Sequence, residues 1–193
     1  FDAAIRSGMA GVDAVEIGYR KRGSWKLEDY VDLWNRVHAG GLTATGLGVN
    51  DSHHNQWAPW ENNFATWVDA PANDLAALLR ALREGRAFFG DPVRFRGRLS
   101  LQVGGTGMGG IVGGGGARTV RVRLTEIGED RLVRLLVDGT VHREWSGVSG
   151  SGVLGERLPA DAGAAVRVEI WSAEGDPLAF SNPIYLDGRR RGR

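Results

Sequence analysis

Cysteine is absent from the 193 residues. That excludes disulfides, a thiol nucleophile and thiolate-held zinc or iron, so a metal site would have to be built from His, Asp and Glu. No apolar run approaches the roughly 20 residues that span a bilayer as a helix, and no membrane partner is expected. The opening Phe1-Asp2-Ala3-Ala4 lacks the basic and apolar parts of a signal peptide and has no initiator Met. The segment is therefore expected to begin inside a longer product or after processing, which leaves the compartment open between cytoplasm and export. Charge of one sign is also not in excess. Lys and Arg number 24 against 23 Asp and Glu, a net charge of +1, so no global field draws in nucleic acid, and none is expected as a partner. What is present, 42% hydrophobic and 24% charged residues, is the composition of a folded globular chain.

The first half alternates strand and helix periods. Asp13 to Ile17 reads as a short strand. Ser24 offers an N-cap for a helix carrying Leu27, Tyr30, Val31, Trp34 and Val37 at three-and-four spacing, with Gly40 and Gly41 as its stop. Leu42 to Val49 is again strand-like and runs into Asn50-Asp51-Ser52-His53-His54-Asn55, and Phe64 to Val68 is a further strand. Asn73 or Asp74 can cap a second helix with Leu75, Leu78, Leu79 and Leu82 on one face and Gly85 as its stop. From Val93 the period becomes two. Val93, Phe95, Leu99, Leu101 and Val103 alternate with arginines and Ser100, and Asp138-Gly139 marks a two-residue hairpin. The expectation is α/β: the C-terminal part of a β/α barrel over residues 1–92, an antiparallel β-sandwich over 93–188 and a basic tail over 189–193.

Asp51 and His53 stand two apart where a strand runs out, so persisting extended geometry would project both to one side. A carboxylate and an imidazole facing together suit zinc or manganese, which can acidify a bound water. An Asp-Ser turn followed by a surface His pair explains the same residues without a metal. Glu16 on the first strand could face the same mouth as base or substrate contact. Trp57 and Trp60, with Asn62, could wall a substrate pocket or simply pack a loop. His38, near a helix end, would favour the helix dipole. Gly105 to Gly110 carries a dinucleotide-like glycine pattern but leads into a strand, so it reads as a flexible loop. The arginines Arg94, Arg96, Arg98, Arg118, Arg121 and Arg123 read as a solvated face, interspersed with Glu126, Glu129 and Asp130.

The order of these features resembles a known family. Gly11-Val12-Asp13-Ala14-Val15-Glu16-Ile17, a Trp-bearing helix and Gly46-Leu47-Gly48-Val49-Asn50-Asp51-Ser52-His53 are similar to the later part of the PHP (polymerase and histidinol phosphatase) superfamily. Leu78 to Phe89, with its Gly85-Arg86 exit, and the ending Ser181-Asn182-Pro183-Ile184-Tyr185 resemble the CehA/McbA branch. The resemblance implies a distorted β/α barrel holding two or three divalent metals, zinc or manganese, and hydrolysis of a phosphoester, ester, carbamate or amide bond in a small-molecule substrate. Its Asp-x-His motif falls on Asp51 and His53, which become expected metal ligands. The family's His-x-His opening and bridging Glu have no counterpart in Phe1 to Gly48, so the chain is expected to be a C-terminal fragment, inactive alone. A non-enzymatic scaffold whose sandwich binds a partner is the alternative.

Overall fold

The computed structural model describes residues 11–40, 42–51, 63–114 and 116–186, with backbone alone at Lys21 and Arg22. Strand β1 (Ala14–Gly18) leads through the small hairpin β2 (Lys21–Arg22) and β3 (Trp25–Lys26) into helix α1 (Leu27–Ala39), and β4 (Thr45–Gly48) follows. Then come β5 (Ala65–Val68), α2 (Leu75–Arg83) and β6 (Ala87–Gly90). Ten further strands are β7 (Arg98–Val103), β8 (Thr106–Gly107), β9 (Ile111–Val112), β10 (Arg118–Thr125), β11 (Arg131–Val137), β12 (Thr140–Val148), β13 (Gly152–Leu158), β14 (Ala165–Ser172), β15 (Pro177–Ser181) and β16 (Ile184–Leu186).

Local chemistry explains most boundaries. Helix α1 starts at Leu27 rather than after Ser24, because the Asp29 carboxylate accepts a 2.7 Å bond from the Lys26 amide and so satisfies an amide at the helix start. Its buried residues Leu27, Trp34 and Val37 lie on the row read from the sequence. Asp74 caps α2, accepting from Ala77 N at 2.8 Å. Asp138 and Gly139 both have positive φ (48° and 81°), the conformation of a two-residue hairpin turn, and they join β11 to β12.

The expectation of an α/β fold with a β/α barrel portion over residues 1–92 is overturned. The molecule is β-rich, 47% strand against 14% helix, with several sheets and no closed barrel among the described residues. Strands β1 and β4 are parallel, and so are β9 and β16, but β5 and β6 pair antiparallel. An alternation of strand and helix does not distinguish a crossover from a hairpin whose loop contains a helix, and here the bond from Asp69 N to Arg86 O (2.8 Å) closes such a hairpin. Strand β6 then pairs antiparallel with β15, so strands on both sides of residue 92 share one sheet.

That sheet, ordered β12-β11-β14-β15-β6-β5 with β16 and β9 attached, is covered on both faces over its central strands, while the edge strand β12 is mostly exposed. On one side its Val133, Leu135, Val168 and Ile170 join Leu99, Leu101, Val120 and Val122 from the sheet β13-β10-β7-β8 in a common core. On the other side Phe89, Phe180 and Trp171 meet Ile17, Leu27 and Trp34 from β1 and α1. The β1-β4 pair is thus held against the large sheet with α1 beside it.

Candidate functional site

The carboxyl ends of β1 and β4 lie together, tied by the bond from Val49 N to Gly18 O at 3.0 Å. Their glycines are enforced by packing. A Cβ on Gly46 would come within 2.6 Å of the Trp34 ring, and one on Gly48 within 2.8 Å of Ala65 O and of the Phe89 side chain. Side chains then secure the strand from distant parts of the chain. Asn182, fully buried, accepts from Gly46 N at 2.7 Å and donates to Gly46 O at 3.1 Å and Ala87 O at 3.0 Å. The Thr66 hydroxyl accepts from Gly48 N at 2.9 Å and donates to Gly48 O at 3.0 Å.

Asp51 stands three residues beyond this clamped strand, exposed, with φ at 50°. The chain turns there, so extended geometry does not continue through Asp51 toward position 53. The Tyr19 hydroxyl donates to Asp51 Oδ2 at 2.9 Å, and Tyr19 itself is buried. The next residue, Arg20, pairs with the fully buried Asp91 at 2.5 Å, and Asp91 Oδ1 also accepts from Val93 N at 2.9 Å. One side chain after β1 therefore orients Asp51 while its neighbour anchors the chain to the exit of β6. Glu16 is exposed on β1, opposite Leu47 in register. His53, Trp57, Trp60 and Asn62 lie outside the described residues, as does His54. Among the described residues no three His, Asp or Glu side chains gather as a metal group.

A second polar assembly, not foreseen in the sequence, lies between α1 and β14. Arg167 and Glu169, both almost fully buried, pair at 2.6 Å. Arg167 donates to Asn35 Oδ1 at 2.9 Å, Trp171 Nε1 donates to Glu169 Oε2 at 2.9 Å, and the guanidinium lies 5.2 Å from the Trp34 ring centre. His38 is buried nearby, 4.9 Å between ring centres from Trp34, and burial, reinforced by the Arg167 charge, pushes it down to about 3. It is neutral at pH 7 and so does not serve the helix dipole. The Gly105 to Gly110 segment is not a phosphate loop either. It contains β8, and it packs so closely on the end of α2 that a Cβ on Gly85 would meet Gly109 Cα at 2.9 Å.

Tyr19, Asn182, Thr66 and Arg20 were missed as site-building residues because each acts through contacts distant in sequence. The one available hint was the Ser181-Asn182-Pro183 ending, quoted above for its resemblance rather than for its amide. In comparison with known proteins, the chain matches no family model and no curated protein.

Proposed function

We propose that the chain contributes part of a metal-dependent hydrolytic site, with Asp51 and His53 as ligands and a small molecule as substrate. The placement of Asp51 carries this reading. It is an exposed carboxylate just past the carboxyl end of a parallel strand pair, held in one direction by a buried tyrosine. Ligands of open parallel sheets gather at such strand ends, and metal-binding carboxylates are commonly held by a hydrogen bond from behind. The likeness of Asp51-Ser52-His53 to the Asp-x-His motif of PHP metallohydrolases supports the same assignment.

The donor chemistry of Asp51 and His53 fits zinc or manganese. A divalent ion held there would polarise a phosphoester, ester, carbamate or amide and make water nucleophilic near neutral pH. Asp51 supplies a charged oxygen in a fixed direction, Tyr19 holds it, and Trp57, Trp60 and Asn62 are the proposed wall of substrate access. Two ligands fall short of the three or four protein donors an ion usually takes, so the reading requires donors from beyond the described residues.

Titration of Mn²⁺ and Zn²⁺ into the purified protein tests the ligand assignment, and hydrolysis of p-nitrophenyl phosphate and p-nitrophenyl acetate, expected to be absent from the chain alone, is followed in parallel. Asp51→Ala and His53→Ala are each expected to weaken metal binding about tenfold or more. Unchanged metal affinity in both variants would sink the proposal.

A further inference from the structure

The outer face of the sheet β13-β10-β7-β8 concentrates positive charge in a molecule whose net charge is only +1. Strand β10 alternates strictly, its valines and Leu124 buried and Thr119, Arg121, Arg123 and Thr125 exposed. In register, Arg121 stands opposite Gln102 on one side and Gly155 on the other, Arg123 opposite Ser100 and Val153, and Thr119 opposite Arg157. Arg98 closes the row opposite Thr125. The side chains of Arg121, Arg123 and Arg157 make no ion pair or hydrogen bond among the described residues.

Of the acids near this face, Asp69 and Glu84 line a cleft with Ser100 and Gln102 at its β7 edge, Glu84 paired with Arg86 at 3.2 Å, and none is paired with Arg121, Arg123 or Arg157 among the described residues. Glu126, Glu129 and Asp130 fall in the turn between β10 and β11, beyond the strand face. Glu156, registered with the buried Val120, points to the opposite side and reaches Arg143 at 3.7 Å. The outward positions of β7, β10 and β13 therefore hold four arginines, polar hydroxyl and amide side chains, Val153 and Gly155, and neither an acid nor an aromatic ring. Residues two apart on a strand are separated by about 6.8 Å, which spaces Arg121 from Arg123, and Arg157 and Arg98 extend the row onto the flanking strands β13 and β7.

We propose that this face binds a linear acidic polysaccharide, its carboxylate or sulfate groups paired with Arg121, Arg123 and Arg157 and its hydroxyls with Ser100, Gln102 and Thr119. Charge complementarity supplies the attraction, and the planar guanidinium fork matches such oxyanions bidentately. The lack of an aromatic platform disfavours single-stranded nucleic acid, whose bases need rings to stack on. The lack of an apolar wedge beside Val153 disfavours insertion into a lipid surface. This inference does not depend on the metal-site reading.

Heparin as the sulfated probe and polygalacturonate as the carboxylated one, titrated calorimetrically at low and physiological salt, test it. Binding of either is expected, weakening as salt rises. Arg121→Gln/Arg123→Gln should lose about tenfold in affinity, the scale for two exposed charge contacts. Arg134→Gln/Arg143→Gln, on the other sheet, should bind like the parent. Because all four positions are at least partly exposed, a circular dichroism spectrum is expected to stay unchanged in each variant; Arg157→Gln serves as the replacement if the first pair fails to fold. No binding to either probe at low salt overturns the proposal, as does binding indifferent to Arg121, Arg123 and Arg157. So does arginine-dependent binding that is tighter for single-stranded DNA or anionic phospholipid vesicles.

Discussion

Tyr19 and Asp51 sit at the two ends of one hydrogen bond in opposite surroundings, the ring buried and the carboxylate exposed. Because water can replace the lost donor at Asp51, Tyr19→Phe is expected to cost no more than about 1 kcal/mol in urea unfolding. If Asp51 is a ligand, the same change should lower Mn²⁺ affinity by about tenfold; a stability loss with metal affinity intact would make Tyr19 purely structural. Asn182 is the contrasting case. It is wholly enclosed and serves three backbone groups on β4 and β6, so Asn182→Ala should destabilise by about 3 kcal/mol by stranding them in the core. Asn182→Asp should recover little, since a carboxylate cannot donate to the two carbonyls. His38 adds a pH dependence. Its folded value of about 3 lies below the ordinary 6.5, so between those values the unfolded chain holds a proton that the folded one lacks. Its contribution to stability is complete above the ordinary value and drains as pH falls toward the folded one, with a slope of up to about 1.4 kcal/mol per pH unit. Urea midpoints measured across this range should fall with acid, and His38→Leu should flatten the fall.

Among the elements, β4 shows how much a short strand depends on its neighbours. Gly46 has no unusual backbone angle, yet a methyl there would strike Trp34. Gly46→Ala is therefore expected to cost about 2 kcal/mol by overpacking, seen as a lowered unfolding midpoint, and Trp34→Phe in the same chain should return part of it. This constraint also marks the limit of what the sequence discloses. The apolar row of α1, the Asp74 cap, the Asp138-Gly139 turn and the alternation of β10 were legible because each is a local pattern with its own period or turn chemistry. The antiparallel partner of β5 was not, since strand-helix-strand order is common to two topologies. Tyr19 and Asn182 stayed hidden for a related reason: their partners lie 32 and 136 positions away, and no local pattern encodes a contact at that separation. Asp51 could be singled out by residue type and position, but its turned backbone and its tyrosine support could not.

At the scale of the whole molecule, the large sheet is a shared middle layer, and the buried Arg167-Glu169 pair lies where α1 covers it. Taking two charges from water is costly, and their mutual attraction offsets the cost only while both are present. Glu169→Gln is thus expected to destabilise by about 3 kcal/mol, because Arg167 keeps its charge beneath the helix without a counterion. Arg167→Met/Glu169→Leu should stand close to the parent, and the coupling between the single changes should exceed about 1 kcal/mol. The location of the pair makes a sharper demand. The loss in Glu169→Gln should fall on the layer containing α1, β1 and β4 and spare the core shared by β10 and β14, where Val122, Leu101, Val168 and Ile170 pack without it. Amide hydrogen exchange resolves the two layers. Faster exchange in α1 with β10 unchanged would mean that the helical layer opens separately. Equal acceleration in both would mean that all three layers unfold as one cooperative unit, with the ion pair stabilising the whole rather than its seam.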